Sequence, residues 1–407
     1  MLLFKLAFLN IGRNPRRSVI TVLAVAVGLG ALIFLWGFSD GTTDQMRENV
    51  IQLVTGHAQI HAKDFEKKLT IENTVPEHRS LVKRLSGMKN VVAVTERAKC
   101  EALVGTSENS RGILLVGIDP VREVKVTRLL NYVTRGKFLM PDDKRGILLG
   151  NRLAERLEVD TGDKIVVMTQ AMDGTLAGFA YHIKGILHTG SQSLDEMSAY
   201  ITLDSAQELL GLEGEVHEIV VRLKERKALP AFLASVKSFL DLKVYELMTW
   251  DQVVPEVEQW AAWGEAIIRT ILVAVMFVIG VGIMNTVLMS VFERTKEFGV
   301  MIAIGTSPIQ VMKLIFFETF VLEFFGMILG IIGGYAVTGY FGKVGIAFPE
   351  LERAFSKSYM STVTYTQVTP AHVIQSIIIL FILTSFISLY PAWKAGHTEP
   401  IKAIYKG

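Results

Sequence analysis

The chain has 407 residues, of which 50% are hydrophobic and 20% charged, and its mean hydropathy is +0.37. It is more apolar than an ordinary soluble protein, and more charged than a protein that lies wholly within a membrane. We therefore expect a few membrane spans and a sizeable folded domain outside them. The net charge of +2, with no basic patch interleaved with aromatic residues, gives no indication of a nucleic-acid partner. The single cysteine, Cys100, excludes a disulfide within the chain.

The first apolar run, residues 18–38, contains no charged side chain and follows Lys5, Arg13, Arg16 and Arg17. A run of about 20 apolar residues is long enough to cross a membrane as a helix. The rival interpretation is a cleaved signal peptide. It is disfavoured because the run is long for a signal core and no small-x-small cleavage site follows it. We therefore predict an anchor helix that is retained.

Three further runs are apolar enough to span a membrane: residues 270–292, residues 314–341, which contain Glu318 and Glu323, and residues 373–393. Most of the lysine and arginine residues near the span ends fall on one side of the membrane. The positive-inside rule therefore places both termini in the cytoplasm and the long insert outside it.

These features predict an α-helical membrane protein with four transmembrane helices. A large, two-lobed α/β extracytoplasmic domain is inserted between the first helix and the second. The predicted segments are a cytoplasmic N-terminal segment (1–17), a transmembrane helix (18–38), an extracytoplasmic α/β domain (39–265), a transmembrane helix (266–292), a cytoplasmic amphipathic helix (293–308), a transmembrane helix (309–342), a short extracytoplasmic loop (343–371), a transmembrane helix (372–393) and a cytoplasmic tail (394–407).

The insert is long enough to bury a core of its own. Both of its ends show a β-α-β pattern, which predicts one α/β lobe assembled from the two ends. The middle, residues 100–215, is richer in strands and predicts a second, mainly β lobe. A helical pattern with Trp250, Trp260 and Trp263 leads into the second span and suits an interfacial belt.

Neither a metal site nor an enzyme is indicated. His57 and His61 are four residues apart in a segment patterned as a strand. There they would share one face but stand about 13 Å apart, too far to bind one metal ion. We therefore expect two ordinary surface histidines. The chain contains no G-x-x-x-x-G-K-[ST], G-x-S-x-G, H-E-x-x-H or C-x-x-C motif, so we predict that it is not an enzyme.

A short amphipathic stretch between the second and third spans is the best candidate for contact with a partner. It opens with charged residues and continues with Phe298, Met301 and Ile302 on one helical face. Gly305 suits the end of this helix. Such a helix fits a groove in a soluble partner, and the alternative is an interfacial helix that lies on the membrane. The candidate residues are Glu293, Arg294, Lys296, Glu297, Phe298, Gly299, Met301, Ile302, Ile304 and Gly305.

Two carboxylates fall within the third predicted span, where charged residues are costly and often functional. Glu318 lies one turn past Lys313 and could brace the amphipathic helix. Glu323 is expected in the cytoplasmic half of the span, where water or Lys313 reaches it.

The third span also carries Gly326, Gly330 and Gly334 at four-residue spacing. Small residues on one face let helices pack closely in lipid. Two outcomes stay open: a subunit interface, or packing within the chain against glycines of the first or second span (Gly28, Gly30, Gly280 and Gly282).

Several stretches resemble those of a known family. The membrane motifs are LAFLNIGRNPRRSVITVLAVAVG at 6–28, NTVLMSVFERTKEFGVMIAIGTSP at 285–308 and YPAWKAGHTEP at 390–400. The insert adds GILLGNRLAERLEVDTGDKIVV at 146–167 and YITLDSAQELL at 200–210. By these motifs the chain is identified as a member of the ABC-transporter permease superfamily that holds macrolide-exporter, FtsX-like and lipoprotein-releasing permeases.

The resemblance implies that residues 293–305 form a coupling helix seated on a separate ATPase subunit. Two permeases, identical or different, would pair with two ATPases. ATP and Mg²⁺ would be held by the ATPase, and this chain would bind no cofactor. Macrolide exporters fuse the ATPase to the permease. This chain departs from them because it begins shortly before its first span.

The segment GHAQIH at 56–61 resembles Lol-type permeases, which extract lipid-anchored lipoproteins from the inner membrane and pass them to a periplasmic chaperone. The expected function is therefore lipoprotein release at the inner membrane. Apolar faces around residues 19–27 and 271–283 could line a cavity for such cargo. Two alternatives stay open: efflux of a drug, peptide or lipid with an adaptor protein, and cargo-free mechanical drive of a periplasmic partner.

Overall fold

The computed structural model describes residues 15–65, 70–348 and 363–397, and these form two compact units. The helical unit gathers the described residues of Met1–Thr43, Ala261–Ala347 and Val363–Gly407. The sheet unit gathers those of Asp44–Trp260 and Phe348–Thr362. Most of the predicted N-terminal segment, much of the short extracytoplasmic loop and the end of the tail lie outside the described residues.

The elements follow one another in a mixed order. The helices are α1 (Pro15–Val50), α2 (His78–Ser86), α3 (Pro120–Val126), α4 (Asn151–Leu157), α5 (Gln192–Met197), α6 (Leu203–Leu210), α7 (Leu229–Lys237), α8 (Trp250–Val253), α9 (Pro255–Glu293), α10 (Thr295–Ala303), α11 (Pro308–Val344) and α12 (Pro370–Gly396). The strands are β1 (Ala58–Ala62), β2 (Val91–Gly105), β3 (Ser110–Ile118), β4 (Val133–Gly136), β5 (Gly146–Gly150), β6 (Lys164–Gln170), β7 (Leu176–Leu187), β8 (Ser198–Thr202), β9 (Glu218–Leu223), β10 (Tyr245–Thr249), β11 (Ile346–Ala347) and β12 (Val363–Thr364).

Four helices are long and apolar enough to cross a membrane: α1 with the π-helical turn that follows it, α9, α11 and α12. This confirms the predicted four spans with an insert between the first and the second. Helix α1 runs past the predicted end of the first span to Val50, and this extension carries Met46 and Val50 one helical turn apart. On this extension, Met46 and Val50 are buried in a core of the sheet unit.

The sheet unit is built on one sheet of ten strands in the order β10-β1-β9-β2-β3-β8-β5-β7-β4, with β6 pairing β2 and β7. Most pairs are antiparallel, whereas β3 with β8 and β5 with β7 are parallel. The longest strand, β2, pairs with β9 along its first half and with β3 and β6 along its second.

Two main cores flank this sheet, and each belongs to one predicted lobe. We call them the end lobe, whose core residues lie between 46 and 94 and between 216 and 257, and the middle lobe, whose core residues lie between 98 and 212. The two predicted lobes are thus confirmed. Strand β2 runs from Val91 to Gly105 and belongs to both lobes.

Arg97 lies on β2 where the strand passes from one lobe to the other, and its partner in register on β9 is Glu218. Both side chains are buried. The Arg97 Nη1 atom donates to Glu218 Oε1 at 3.0 Å, and Nη2 donates to Glu123 Oε1 at 2.6 Å. Lys99 forms a further ion pair with Glu218. Burial alone would raise the pKa of Glu218, but Lys99 and then Arg97 outweigh it and lower that pKa to about 2.

Two expectations about the insert are wrong. His57 and His61 are buried, because β1 lies between β9 and β10 and both of its faces are covered. Desolvation by this burial lowers the pKa of each histidine to about 4. Trp250 is also buried, in the end-lobe core, so only Trp260 and Trp263 have the exposure that an interfacial belt requires.

Candidate partner-docking surface

Helix α10 is the amphipathic stretch predicted between the second and third spans. It runs from Thr295 to Ala303, and Gly305 follows with a φ of +102°, a backbone conformation that side-chain-bearing residues rarely adopt. Ser307 then caps α11, its Oγ accepting a hydrogen bond from the Gln310 backbone N–H at 3.3 Å. The helix end and the start of the next helix therefore lie where the sequence indicated.

The predicted apolar face of α10 is turned toward its own chain. Phe298 is 0% exposed and shares a core with Val311 and Ala395, and Met301 and Ile302 pack partly buried against that core. Phe298 is therefore covered within the chain, and docking of Met301 and Ile302 on a partner stays a prediction. Helical spacing shows which residues share a face, but it does not show whether that face is covered. Here α11 and α12 cover it.

The opposite side of α10 is exposed and also apolar. Val300 and Ile304 lie there, and Ile304 is 78% exposed. Ile309, in the first turn of α11, is exposed as well. We call Lys296, Val300, Ala303, Ile304 and Ile309 the docking face. Large apolar side chains exposed together mark a surface that contacts either a protein partner or the membrane.

A charged cluster holds the start of α10 against α11. Arg294 directs Nη1 to both carboxylate oxygens of Glu318 at 2.9 Å, and its Nε donates to Glu297 Oε2 at 2.9 Å. Burial alone would lower the pKa of Arg294, but Glu318 and Glu297 outweigh it and raise that pKa. Glu318 therefore braces the amphipathic helix, as its position one turn past Lys313 suggested. Glu293 is more exposed and lies 3.5 Å from Arg17 Nη1.

Glu323 does not have the water-accessible setting expected from its depth in the span. It is 2% exposed, and within the part of the chain that the structure describes its Oε1 has no hydrogen-bond partner. Helix α12 packs against α11, and the rings of Phe320 and Phe381 lie 5.9 Å apart between these two helices. Access by water was therefore a wrong expectation.

The glycines of the third span pack within the chain. A Cβ on Gly330 would lie 2.9 Å from the Ala26 carbonyl oxygen, and one on Gly334 would lie 2.9 Å from Ile33 Cβ. Gly326 faces Val25 in the same way. Of the two open outcomes, the structure shows close packing of α11 on α1. The partner glycine on α1 is Gly30, whose own Cβ would lie 3.5 Å from the Gly330 oxygen, whereas Gly28 faces α9.

The prediction missed part of the docking face. Val300, Ala303 and Ile309 were not among the candidate residues, although Lys296 and Ile304 were. A usable signal was present, because residues 298–309 carry apolar side chains on more than one side of the helix and a single neighbouring surface cannot cover them all. Among the described residues, no group of three or more His, Cys, Asp or Glu side chains could hold a metal ion.

Comparisons with known proteins extend along nearly the whole chain. Residues 18–239 match the family model of the MacB-like periplasmic core domain, and residues 269–400 match that of the FtsX-like permease C-terminal domain. The lipoprotein-releasing system transmembrane protein LolC of Neisseria meningitidis serogroup B is 25% identical over 96% of this chain and 95% of that protein.

Two further relatives have different names. The uncharacterized ABC transporter permease MJ1507 of Methanocaldococcus jannaschii is 21% identical over 98% of this chain and 96% of its own length. The macrolide export ATP-binding/permease protein MacB of Acinetobacter baylyi is 21% identical over 98% of this chain, which spans 59% of that protein. The MacB-like match covers more than half of the 407 residues. The chain therefore belongs to the family of ABC-transporter permeases that join a MacB-like periplasmic core domain to an FtsX-like permease domain.

Proposed function

We propose that this permease couples ATP hydrolysis on a separate ATPase subunit to movement of its sheet unit, and that the movement extracts lipoproteins from the inner membrane. Both termini and the docking face would lie in the cytoplasm, and the sheet unit in the periplasm. Two permease chains would pair with two ATPase subunits, which hold ATP and Mg²⁺. This chain would bind no cofactor.

The docking face is the observation that carries the coupling proposal. It presents exposed apolar side chains on a helix that is itself held firmly, by buried Phe298 on one side and by the Arg294–Glu318 ion pair at its start. A force applied to such a helix passes into α9 and α11 instead of being absorbed by a loose loop. Helix α9 continues unbroken from Glu293 back to Pro255. The sequence contains no G-x-x-x-x-G-K-[ST] motif, which supports a separate ATPase.

Lipoprotein release is supported by the LolC relative, which aligns with almost the whole of both chains. The sheet unit also offers a surface for a soluble chaperone. Leu176, at the start of β7, is 89% exposed, and Met168 on β6 and Met172 in the connecting turn are exposed as well. Flexible methionine side chains beside an exposed leucine suit a partner that itself carries acyl chains.

The coupling proposal is tested by placing a charge on the docking face. Val300→Glu and Ile304→Glu should each abolish co-purification of the ATPase, because a carboxylate would have to be desolvated in an apolar contact. Leu242→Glu is the matched control, since Leu242 is apolar and 48% exposed, close to Val300 at 49%, but belongs to the sheet unit. If the ATPase stays bound to both docking-face variants, the helix lies on lipid and the proposal fails.

The cargo proposal is tested by depletion of the protein in cells. Lipoproteins destined for the outer membrane should accumulate in the inner membrane, as seen by fractionation and immunoblotting. If none accumulate, release is not the function. The MacB relative favours efflux as the second candidate, and greater macrolide susceptibility of depleted cells with normal lipoprotein sorting would support it.

A further inference from the structure

Glu323 is a carboxyl group buried within the helical unit, apart from the ion pair that holds Glu318. It is 2% exposed, and none of the described residues forms a hydrogen bond with its Oε1 atom. Glu318, five residues earlier on α11, is engaged by Arg294. An ionised carboxylate buried without a partner is costly, whether apolar side chains or lipid surround it.

The neighbouring spans offer Glu323 no counter-charge. Residues 18–38 of α1, 270–292 of α9 and 373–393 of α12 contain no charged residue and no histidine. On α11 itself, the nearest basic residue in sequence is Lys313, which lies ten residues before Glu323, or about 15 Å along a helix. Arg294 is already shared between Glu318 and Glu297. An ion pair within the spans therefore does not account for the burial of Glu323.

The hydroxyl groups near Glu323 have already donated their protons elsewhere. The side chain of Thr384 on α12 faces the carboxyl group, and its Oγ1 atom donates to the Leu380 carbonyl oxygen at 2.8 Å. Thr319, one turn before Glu323 on α11, donates to the Ile315 carbonyl oxygen at 3.1 Å. A hydroxyl group has one proton to donate and two lone pairs with which to accept. These two side chains can therefore accept a hydrogen bond from Glu323 but cannot donate one to it.

The protonated form of Glu323 matches these surroundings, and the ionised form does not. An ionised carboxylate only accepts hydrogen bonds, whereas a neutral carboxylic acid also has one O–H group to donate. The neutral form can donate to Thr384 Oγ1 and leaves no uncompensated charge among apolar side chains. The oxygen that stays without a partner is then a neutral acceptor, which costs less to bury than a charged one.

We propose that Glu323 is a proton-binding site, in which a neutral carboxylic acid on α11 donates a hydrogen bond to Thr384 on α12. A movement that separates these two helices would admit water, and the carboxyl group would then release its proton to that water. The packed arrangement of the third and fourth spans therefore includes one bound proton. The inference rests on the helical unit lying in a membrane and not on the cargo or the ATPase.

The test is infrared spectroscopy of the full chain at about pH 8, where ordinary glutamates are ionised. The detergent must lack ester and carboxyl groups, so that it contributes no carbonyl signal. The unmodified protein should show the C=O stretch of a protonated carboxyl group, and Glu323→Gln should remove this band. Glu318→Gln is the matched control, because it makes the same change on the same helix and should leave the band in place. Absence of the band from the unmodified protein, or its survival in Glu323→Gln, would overturn the proposal.

Stability separates a neutral acid from a buried anion. Glu323→Gln should keep the unfolding temperature of the unmodified protein, because an amide is neutral, has nearly the same shape and can also donate to Thr384. Glu318→Gln should lower that temperature, because Arg294 loses its counter-charge. A loss in Glu323→Gln as large as that in Glu318→Gln would show that Glu323 is buried as an anion.

A third variant tests the hydrogen bond without changing the acid. Thr384→Val should shift the C=O band to a different frequency, because the O–H group loses its acceptor. An unchanged band would rule out the contact with Thr384. None of these outcomes bears on ATPase binding, which is measured separately.

Discussion

Arg294, directly before α10, and Glu318, inside α11, form a two-pronged contact in which one guanidinium nitrogen lies 2.9 Å from each carboxylate oxygen. Both side chains are largely buried. A charged pair in this setting is costly to break from one side, because the remaining charge stays without compensation. The helix that carries the docking face is thus fixed to the third span by charge at its start and by Phe298 along its length.

We expect Glu318→Leu to destabilise the protein by about 3 kcal/mol, because Arg294 would keep its charge in a partly buried site. The double variant Arg294→Met/Glu318→Leu should be less destabilised than the sum of the two single variants, by about 1–3 kcal/mol. Thermal unfolding of the four proteins in one detergent measures this. Glu318→Gln tests the consequence for coupling, as lower stimulated ATP hydrolysis. If the stability losses of the two single variants add up in the double variant, and Glu318→Gln leaves stimulated ATP hydrolysis unchanged, the ion pair does not hold the helix.

Gly330→Ala should lower the unfolding temperature, because the added methyl group would lie 2.9 Å from the Ala26 carbonyl oxygen and α1 would have to move away. Overpacking of this kind costs about 1–3 kcal/mol. Gly333→Ala is the matched control on the same helix, since a Cβ there meets nothing within 4 Å. It should be neutral or slightly stabilising, as alanine favours helix over glycine. Equal effects of the two substitutions would contradict close packing at Gly330.

Acidification should destabilise the end lobe through His57 and His61. Their folded-state pKa values, about 4, lie below the usual 6.5. The unfolded chain therefore binds protons first, and stability falls as the pH drops from about 6.5 to about 4. At about pH 5 each histidine lowers the free energy of unfolding by about 2 kcal/mol relative to neutral pH. Proteolysis rates or unfolding temperatures across this range measure the slope, which His57→Gln should make shallower. A slope unchanged by that substitution would rule His57 out as a cause.

Glu218→Gln should destabilise the sheet unit by about 3–5 kcal/mol at neutral pH, because Arg97 and Lys99 would lose a buried counter-charge. The folded-state pKa of Glu218, about 2, lies below the ordinary 4.5. Its contribution is therefore present above about pH 4.5 and is lost as the pH falls toward about 2. The substituted protein should show less acid sensitivity in this lower window, as followed by circular dichroism. If the acid transition below about pH 4 is the same in both proteins, Glu218 is not its source.

The features that depend on local composition could be predicted from the sequence. Long apolar runs locate the four spans, and β-α-β patterns at both ends of the insert predict a lobe assembled from two distant segments. Features that depend on what covers a surface could not be predicted. Phe298 and Ile304 lie on two apolar sides of one short helix, and periodicity cannot say which side the rest of the chain covers. Polar and apolar residues alternate around His57 and His61, as in a strand with one exposed face. The neighbouring strands and the covering layers nevertheless bury β1 on both faces.

The register of Arg97 opposite Glu218 has a consequence for how the two lobes are connected. Since the polypeptide leaves the end lobe at one of these residues and returns to it at the other, the entry and exit points of the middle lobe are adjacent strand neighbours. A tight turn grafted across that pair would close the end lobe without the segment between them. The middle lobe is thus arranged as an exchangeable cassette.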